Sequence, residues 1–136
     1  MKNKKTIFPI NYQRLILEKL RKYIDKNVLP NNHIKEIVLG GSLTTGKFCK
    51  YERMLVKPKY RRLYSDIDLI FYVDEKFRPK GWEFFANPSK ESVKMLGNFK
   101  AYRMGILDKK FHMIVLLFKE KPKCKGKTDI ILYRRK

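Results

Sequence analysis

The sequence predicts an α/β or α+β domain in which helices pack on a mixed β-sheet. Segments with helical and strand periodicity alternate in the order helix, strand, helix, strand, helix, hairpin, strand. The chain has 136 residues, of which 43% are hydrophobic, so it can bury a core and lacks the composition of a disordered tail. We expect a single domain over residues 1–136, with a basic insertion at about 47–64.

The first element is an amphipathic helix in "NYQRLILEKLRKYIDKN", residues 11–27. Asn11 has the side chain of an N-cap, and Pro30 closes the region. The apolar positions that recur at helical spacing are Leu15, Ile16, Leu20, Tyr23 and Ile24.

Two strands follow, in "HIKEIVLGG" and in "DIDLIFYVD", the second rich in β-branched and aromatic residues. The segment between them is "LTTGKFCKYERMLVKPKYRRLYS". We expect it to begin as a helix and to continue as a basic loop around Pro58.

The second half of the chain begins with a short helix in "NPSKESVKML", with Asn87 or Ser89 as its N-cap and Gly97 at its end. The run "FKAYRMGILDKKFHMIVLLF" then predicts a β-hairpin that turns at Asp108. A last strand is expected in "KTDIILYRR".

The charge is strongly basic: 33 Lys and Arg stand against 13 Asp and Glu, for a formal net charge of +20. Such a field favours polyanions, above all nucleic acid, although a solubilising lysine surface has the same composition. Cys49 and Cys124 lack metal-site or disulfide-framework spacing. The first residues have no apolar run of signal length, and no stretch of about 18 apolar residues occurs, so we expect neither export by that route nor a membrane span. We therefore expect a cytoplasmic protein.

An acidic pair, Asp66 and Asp68, marks the second strand. Alternate residues of a strand share one face, about 6.6–6.8 Å apart, so the two carboxylates face the same way while Ile67 and Leu69 enter the core. The carboxylates repel each other, and a divalent cation relieves that repulsion. The alternative is an exposed acidic pair at the start of a strand, stabilised by lysines.

A glycine turn, "LGGS", ends the first strand. Gly40 and Gly41 allow a sharp turn with exposed amides, and Ser42 adds a hydroxyl. If a helix opens at this point, its dipole also favours a phosphate. An ordinary strand-to-helix turn has the same residues.

Together, the turn at Leu39–Ser42 and the motif Asp66–Leu69 resemble the signature of the DNA polymerase β-like nucleotidyltransferase superfamily. The resemblance covers residues 37–73, and it implies a palm-like core that binds an NTP at Gly40, Gly41 and Ser42. It also implies Mg²⁺ or Mn²⁺ held by three carboxylates, Asp66, Asp68 and one on a later strand. Asp129 is the best match for the third, and a competing alignment places His112 there.

The spacer between the two motifs comprises 23 residues, 43–65, and is longer than the superfamily usually has. Its excess is basic, so it is either a substrate-binding insertion or an indication that the glycine turn and the acidic pair do not meet. The candidates for contact with the triphosphate or with nucleic acid are Lys57, Lys59, Arg61 and Arg62.

The resemblance implies an enzyme that moves an NMP from an NTP to a hydroxyl acceptor, by two-metal phosphoryl transfer. The charge favours RNA or a tRNA end as acceptor, and "RRLYSDIDL" loosely resembles nucleotidyltransferase toxins. A homodimer or a helical partner protein would supply the surfaces that larger members carry. The alternatives are a degenerate, scaffold-only fold and a non-catalytic basic nucleic-acid-binding module that stacks bases on Tyr51, Tyr60, Tyr64, Phe99 and Tyr102.

Overall fold

The computed structural model describes residues 3–56, 61–124 and 126–136. These residues form nine strands and three helices. In chain order the elements are β1 (Lys5–Ile7), α1 (Ile10–Asn27), β2 (Ile34–Gly40), α2 (Ser42–Thr45), β3 (Cys49–Val56), β4 (Arg61–Tyr64), β5 (Ile67–Val73), β6 (Glu83–Ala86), α3 (Lys90–Leu96), β7 (Lys100–Leu107), β8 (Phe111–Phe118) and β9 (Ile130–Arg134). Within the described ranges, no helix has the length and apolar character needed to cross a bilayer.

The strands form two sheets. The larger has six strands in the order β6-β7-β8-β5-β2-β9, and the smaller has three in the order β1-β3-β4. In the larger sheet β5 and β8 run parallel, whereas the other neighbours are antiparallel. The predicted mixed sheet and the α+β class are therefore confirmed.

The core lies between α1 and one face of the larger sheet. Ile16, Leu20 and Ile24 recur at helical spacing along α1 and are buried. They pack in one cluster with the alternate residues of β5, which are Ile67, Leu69, Phe71 and Val73. Since alternate strand residues point to opposite faces, Asp68, Ile70 and Tyr72 extend from the face turned away from α1.

The start of α1 differs from the prediction. Asn11 is not the N-cap, because the helix begins one residue earlier, at Ile10, after Pro9. Proline presets φ close to a helical value, and Pro9 O accepts the first helical hydrogen bond from Gln13 N at 3.1 Å. Buried Gln13 also donates through Nε2 to Phe8 O and to Gly46 O, which ties the helix start to the turn after α2.

The basic segment also differs from the prediction. It was expected to be a helix followed by a loop, yet the helix is a single turn, α2, and β3 and β4 then form an antiparallel hairpin. β3 also pairs with β1, a strand that the sequence reasoning missed, as it did β6. Residues 57–60, which include the candidates Lys57 and Lys59, lie outside the described residues.

Aromatic rings join the small sheet to the large one. Phe111, at the start of β8, lies 5.1 Å from Phe48 and 5.2 Å from Tyr64 between ring centroids. Phe8 contacts the same group of rings. The small sheet is thereby held at the end of the large sheet where β5 and β8 begin.

The later elements agree with the prediction. Ser89, not Asn87, caps α3 by accepting a hydrogen bond from Ser92 N, and Gly97 ends the helix with φ 102°. β7 and β8 pair as the expected hairpin. Its turn places Asp108 and Lys109 in the left-handed region, at φ 55° and 59°.

Candidate active site

The glycine turn and the acidic motif meet at the end of β2. Gly40 is the register partner of Asp68 on β5, so the two motifs lie side by side despite the long spacer. Gly41 adopts φ 74°, a conformation that strongly favours glycine. A Cβ at Gly41 would also fall far inside contact distance of Asp68 Oδ2. Gly41 is therefore required both for the turn and for the space that the carboxylate occupies.

The hydroxyls after the turn stabilise it from within. Thr44 N and Thr44 Oγ1 both donate to Gly41 O, at 3.1 and 2.8 Å. Ser42 begins α2 and lines the cleft that contains both aspartates. Because α2 has only four residues, the expected contribution of a helix dipole to phosphate binding does not apply here.

Asp66 and Asp68 line one cleft of about 370 Å³, but they do not both belong to the strand. β5 starts at Ile67, so Asp66 lies just before it, and the prediction that placed Asp66 on the strand is wrong at this residue. The alternation is otherwise as expected, with Ile67 and Leu69 buried and Asp68 facing the cleft.

Ser65 fixes the backbone in front of the acidic pair. Its buried hydroxyl accepts a hydrogen bond from Cys49 N at 3.0 Å, and Ser65 N donates to Cys49 O at 2.9 Å. This double contact joins the start of β3 to the residue that precedes Asp66. It explains why a serine stands before the pair.

Arg62 of β4 forms an ion pair with Asp66. Its Nη1 lies 3.5 Å from Asp66 Oδ2, and the two side chains are only 15% and 13% exposed. The guanidinium also packs over the ring of Tyr51 at 5.6 Å and donates to Tyr64 O. Arg62 therefore offsets the charge of Asp66 from a fixed position.

The surroundings of Asp68 raise the pKa of its carboxyl group. Burial, followed by the negative charge of Asp66, raises the pKa of Asp68 to about 6, while Arg62 acts in the opposite direction. The residue as a whole keeps exposed surface, but its carboxylate is the part that the Gly41 turn encloses. The carboxyl group therefore holds a proton below about pH 6, and above that pH a nearby cation would offset the cost of burying its charge.

Two lysines of the cleft were missed by the sequence reasoning. Lys5 reaches it because β1 pairs with β3, and Lys47 reaches it from the turn after α2. Lys47 follows the glycine turn by a few residues, so its position relative to that motif could have identified it. Lys5 had no local signal, because only strand pairing brings it near Asp66.

Asp129 lies just before β9, on the other side of β2 from Asp68. β2 stands between β5 and β9, which places these two strands about 10 Å apart, or two interstrand spacings. Asp129 Oδ2 accepts from Gly126 N at 2.8 Å, and the side chain lines a separate pocket on the face that includes Ile70 and Tyr72. Among the described residues, no three His, Cys, Asp or Glu side chains form a metal-binding group. That Asp129 completes a site with Asp66 and Asp68 stays a prediction.

Asp129 nevertheless approaches the glycine turn from its other side. A Cβ at Gly40 would lie 3.1 Å from Asp129 Oδ1, while a Cβ at Gly41 would overlap Asp68. Thr128, the preceding residue, contacts Thr44 through its hydroxyl at 3.3 Å. Gly40 and Gly41 thus separate the carboxylates of Asp68 and Asp129.

His112 occupies the position beside the pair. β8 is the parallel neighbour of β5, and Ile67 is the register partner of Met113, which brings the preceding residues Asp66 and His112 side by side. Arg103 Nη1 lies 3.3 Å from His112 Nδ1, and Arg61 O lies 3.3 Å from His112 Nε2. Since a guanidinium only donates and a carbonyl only accepts, His112 is the neutral tautomer with its proton on Nε2.

The surroundings of His112 agree with that tautomer. Burial, opposed by the contact with Arg61 O, lowers the pKa of His112. Arg103 is in turn held by an ion pair with Glu83 on β6. The side chain of Arg61 is exposed, and its backbone carbonyl contacts His112. Of the two predicted basic contacts that the structure describes, Arg61 and Arg62, only Arg62 lines the cleft.

The oxygen atoms of Asp66 and Asp68 are of the kind that Mg²⁺ and Mn²⁺ prefer. The enclosed carboxylate of Asp68 and its raised pKa fit a cation at this place. Comparison with known proteins identified no matching family model, no matching curated protein and no matching solved structure.

Proposed function

We propose that the chain is a metal-dependent nucleotidyltransferase that moves an NMP from an NTP to a hydroxyl acceptor. The observation that carries the proposal is the meeting of the glycine turn with Asp68, in a cleft that also contains Asp66 and Ser42. Three cations, Lys5, Lys47 and Arg62, line the same cleft. Carboxylates for a divalent ion and cations for a triphosphate are the two requirements of this chemistry.

In the proposed reaction the acceptor oxygen attacks the α-phosphorus of the NTP. A new O–Pα bond forms, the bond from Pα to the bridging oxygen of pyrophosphate breaks, and the acceptor proton is released to water. Asp66 and Asp68 would hold Mg²⁺ or Mn²⁺, which lowers the pKa of the attacking hydroxyl and offsets the charge on the leaving pyrophosphate. Lys5 and Lys47 bind the triphosphate, while Gly41 and Ser42 bound the space it enters.

RNA, including a tRNA end, is the acceptor that the net charge of +20 favours. We also propose a cytoplasmic location. Cys49 and Cys124 are free thiols, which suits a reducing cytoplasm. We propose further that the chain has a toxin-like role. A homodimer or a helical partner would complete its acceptor surface.

The test is transfer of α-labelled NTPs, supplied one at a time with Mg²⁺ or Mn²⁺, to total RNA and to the chain itself. The double variant Asp66→Asn, Asp68→Asn should abolish incorporation, because it removes the charges that hold the ion. Asp25→Asn is the matched control, since Asp25 is an exposed aspartate of α1 that does not line the cleft. Equal incorporation by the double variant and the control would exclude the proposed site.

The second candidate is a non-catalytic RNA-binding module. Two observations favour it: Arg62 already offsets the charge of Asp66, and Asp129 lies in a different pocket. RNA binding that is unchanged in EDTA and in the double variant, together with absent transfer, would select this candidate.

A further inference from the structure

A second cavity, of about 510 Å³, lies at the end of the large sheet where β8 finishes and β7 begins. His112 stands beside Asp66 near the start of β8, and Leu117 borders the cavity near its end, about 17 Å further along the strand. Tyr102 and Leu117 extend from the face that packs on α1, whereas Asp68 extends from the opposite face. The cavity is therefore separate from the carboxylate cleft.

Aromatic rings supply much of its wall. Phe77, Phe99 and Tyr102 border the cavity. Phe77 is buried, and Trp82 contacts two of these rings, with centroids 5.6 Å from Phe77 and 5.9 Å from Tyr102. The wall is therefore a preformed surface against which a flat ring can stack.

Three cations and one acid border the same cavity: Arg78, Lys100, Lys119 and Glu120. Arg78 Nη1 donates to Glu75 O at 2.6 Å and to Phe77 O at 2.9 Å, which orients the guanidinium. Lys119 Nζ donates to the same Glu75 carbonyl at 3.3 Å. The excess of positive charge, part of it held in place by backbone carbonyls, suits an anionic ligand.

Two side-chain amides, Asn87 and Asn98, complete the polar groups of the wall. Amides both donate and accept, as the edge of a nucleobase does. The volume also lies within the range of about 300–1,000 Å³ that small-molecule sites occupy.

We propose that this cavity binds a phosphorylated nucleoside, whose base contacts the aromatic wall and whose phosphate lies at Arg78, Lys100 and Lys119. The ligand is either a free mononucleotide or an unpaired nucleotide of an RNA strand. This site is independent of the proposed transfer reaction, since it shares no residue with the carboxylate cleft.

The single tryptophan provides the readout. Trp82 touches two rings of the cavity wall, so a ligand stacked there changes its fluorescence. The full chain is titrated with AMP and, separately, with a short single-stranded adenylate RNA, both in EDTA to suppress metal-dependent binding at the other cleft. A saturable change with AMP indicates the free nucleotide, and at least tenfold tighter binding of the RNA indicates the strand.

Charge reversals test the location. Lys100→Glu and Lys119→Glu should each weaken binding at least tenfold. Lys110→Glu is the matched control, because Lys110 is an exposed lysine at the opposite end of the same two strands. Circular dichroism verifies folding, and Lys100→Gln and Lys119→Gln replace any reversal that unfolds the chain.

Two results would overturn the proposal. One is the absence of a saturable Trp82 response to either ligand. The other is an equal loss of affinity in Lys100→Glu and Lys110→Glu, which would reflect overall charge alone. The double variant Asp66→Asn, Asp68→Asn should retain binding here, so that failure of the transfer reaction is distinguishable from failure of this site.

Discussion

At the scale of single residues, Gly41 combines two constraints. Its φ of 74° strongly favours glycine, and the place of a Cβ is taken by the carboxylate of Asp68. Gly81 separates these effects, because it has the same φ of 74° with nothing within 4 Å of its Cβ position.

We expect Gly41→Ala and Gly81→Ala to share a backbone cost of about 1–2 kcal/mol. Gly41→Ala should, in addition, displace Asp68 and weaken Mn²⁺ binding, whereas Gly81→Ala leaves it unchanged. Urea unfolding and calorimetric Mn²⁺ titration of both variants measure the two effects. Equal Mn²⁺ affinity in the two would show that the Gly41 turn does not determine the position of the carboxylate.

A second prediction at this scale concerns the titration of Asp68. Its folded pKa of about 6 lies above the ordinary 3.8, so the folded state binds the extra proton between these values. The contribution of Asp68 to the free energy of unfolding is therefore highest below about pH 4 and decreases as the pH rises through about 6. Carboxyl NMR in metal-free buffer follows the group directly.

Asp66→Asn should lower the pKa of Asp68, because it removes a neighbouring negative charge, but burial keeps the value above the ordinary one. Asp74 is the internal comparison: its hydrogen bond with His33 lowers its pKa. An unchanged titration of Asp68 in Asp66→Asn would contradict the coupling of the pair.

At the scale of elements, the position of the acidic pair depends on how the small sheet attaches to β5. Besides the aromatic rings around Phe111, the attachment includes the Ser65–Cys49 contacts and His112, whose ring contacts Arg61 O on β4. These contacts bring Arg62 against Asp66. The β3–β4 hairpin is thus a wall of the cleft and not only an insertion.

Ser65→Ala removes the acceptor of the buried Cys49 N–H, and we expect a loss of about 1–3 kcal/mol in the free energy of unfolding. Hydrogen exchange at β3 and β4 should accelerate, and Mn²⁺ binding should weaken because Asp66 is no longer held. Ser89→Ala removes the cap of the exposed helix α3 and should lower the free energy of unfolding by about 1 kcal/mol. It should leave hydrogen exchange at β3 and β4 and Mn²⁺ binding unchanged. Identical exchange profiles in the two variants would contradict this attachment.

At the scale of the whole molecule, the charge of +20 governs association with polyanions. Its lysines and arginines run the length of the chain, so many phosphates can be neutralised at once. The surface also has two separate concave sites, because the carboxylate cleft and the aromatic cavity lie towards opposite ends of β8.

We expect RNA binding to weaken steeply with salt, with a log–log slope of about −0.7 for each phosphate contact to a single strand. Arg62→Gln should reduce the slope by about one such contact if Arg62 touches the strand, because a neutral side chain releases no counterion. Fluorescence anisotropy of a labelled RNA over a salt series provides the slopes, with Lys110→Gln as the control for an exposed lysine. A slope near zero for the unmodified chain would exclude phosphate-driven binding.

The sequence by itself determined the elements whose signals are local. Periodicity indicated α1, β5 and the β7–β8 hairpin, and turn chemistry indicated Ser89 and Gly97, because these features depend on near neighbours along the chain. The alternation around Asp68 and the two glycines also identified both halves of the cleft. That these two halves meet depends on the pairing of β2 with β5, which the sequence left open.

Only the tertiary structure decided which elements lie next to each other. Strand order is a long-range property: β2 separates Asp129 from Asp68, while β8 brings His112 beside Asp66. Pairing of β1 with β3 brings Lys5 into the cleft, although its own sequence carries no such signal. Alternation specifies the face of a side chain but not the neighbouring strand, because sheet pairing depends on packing between residues far apart in the chain.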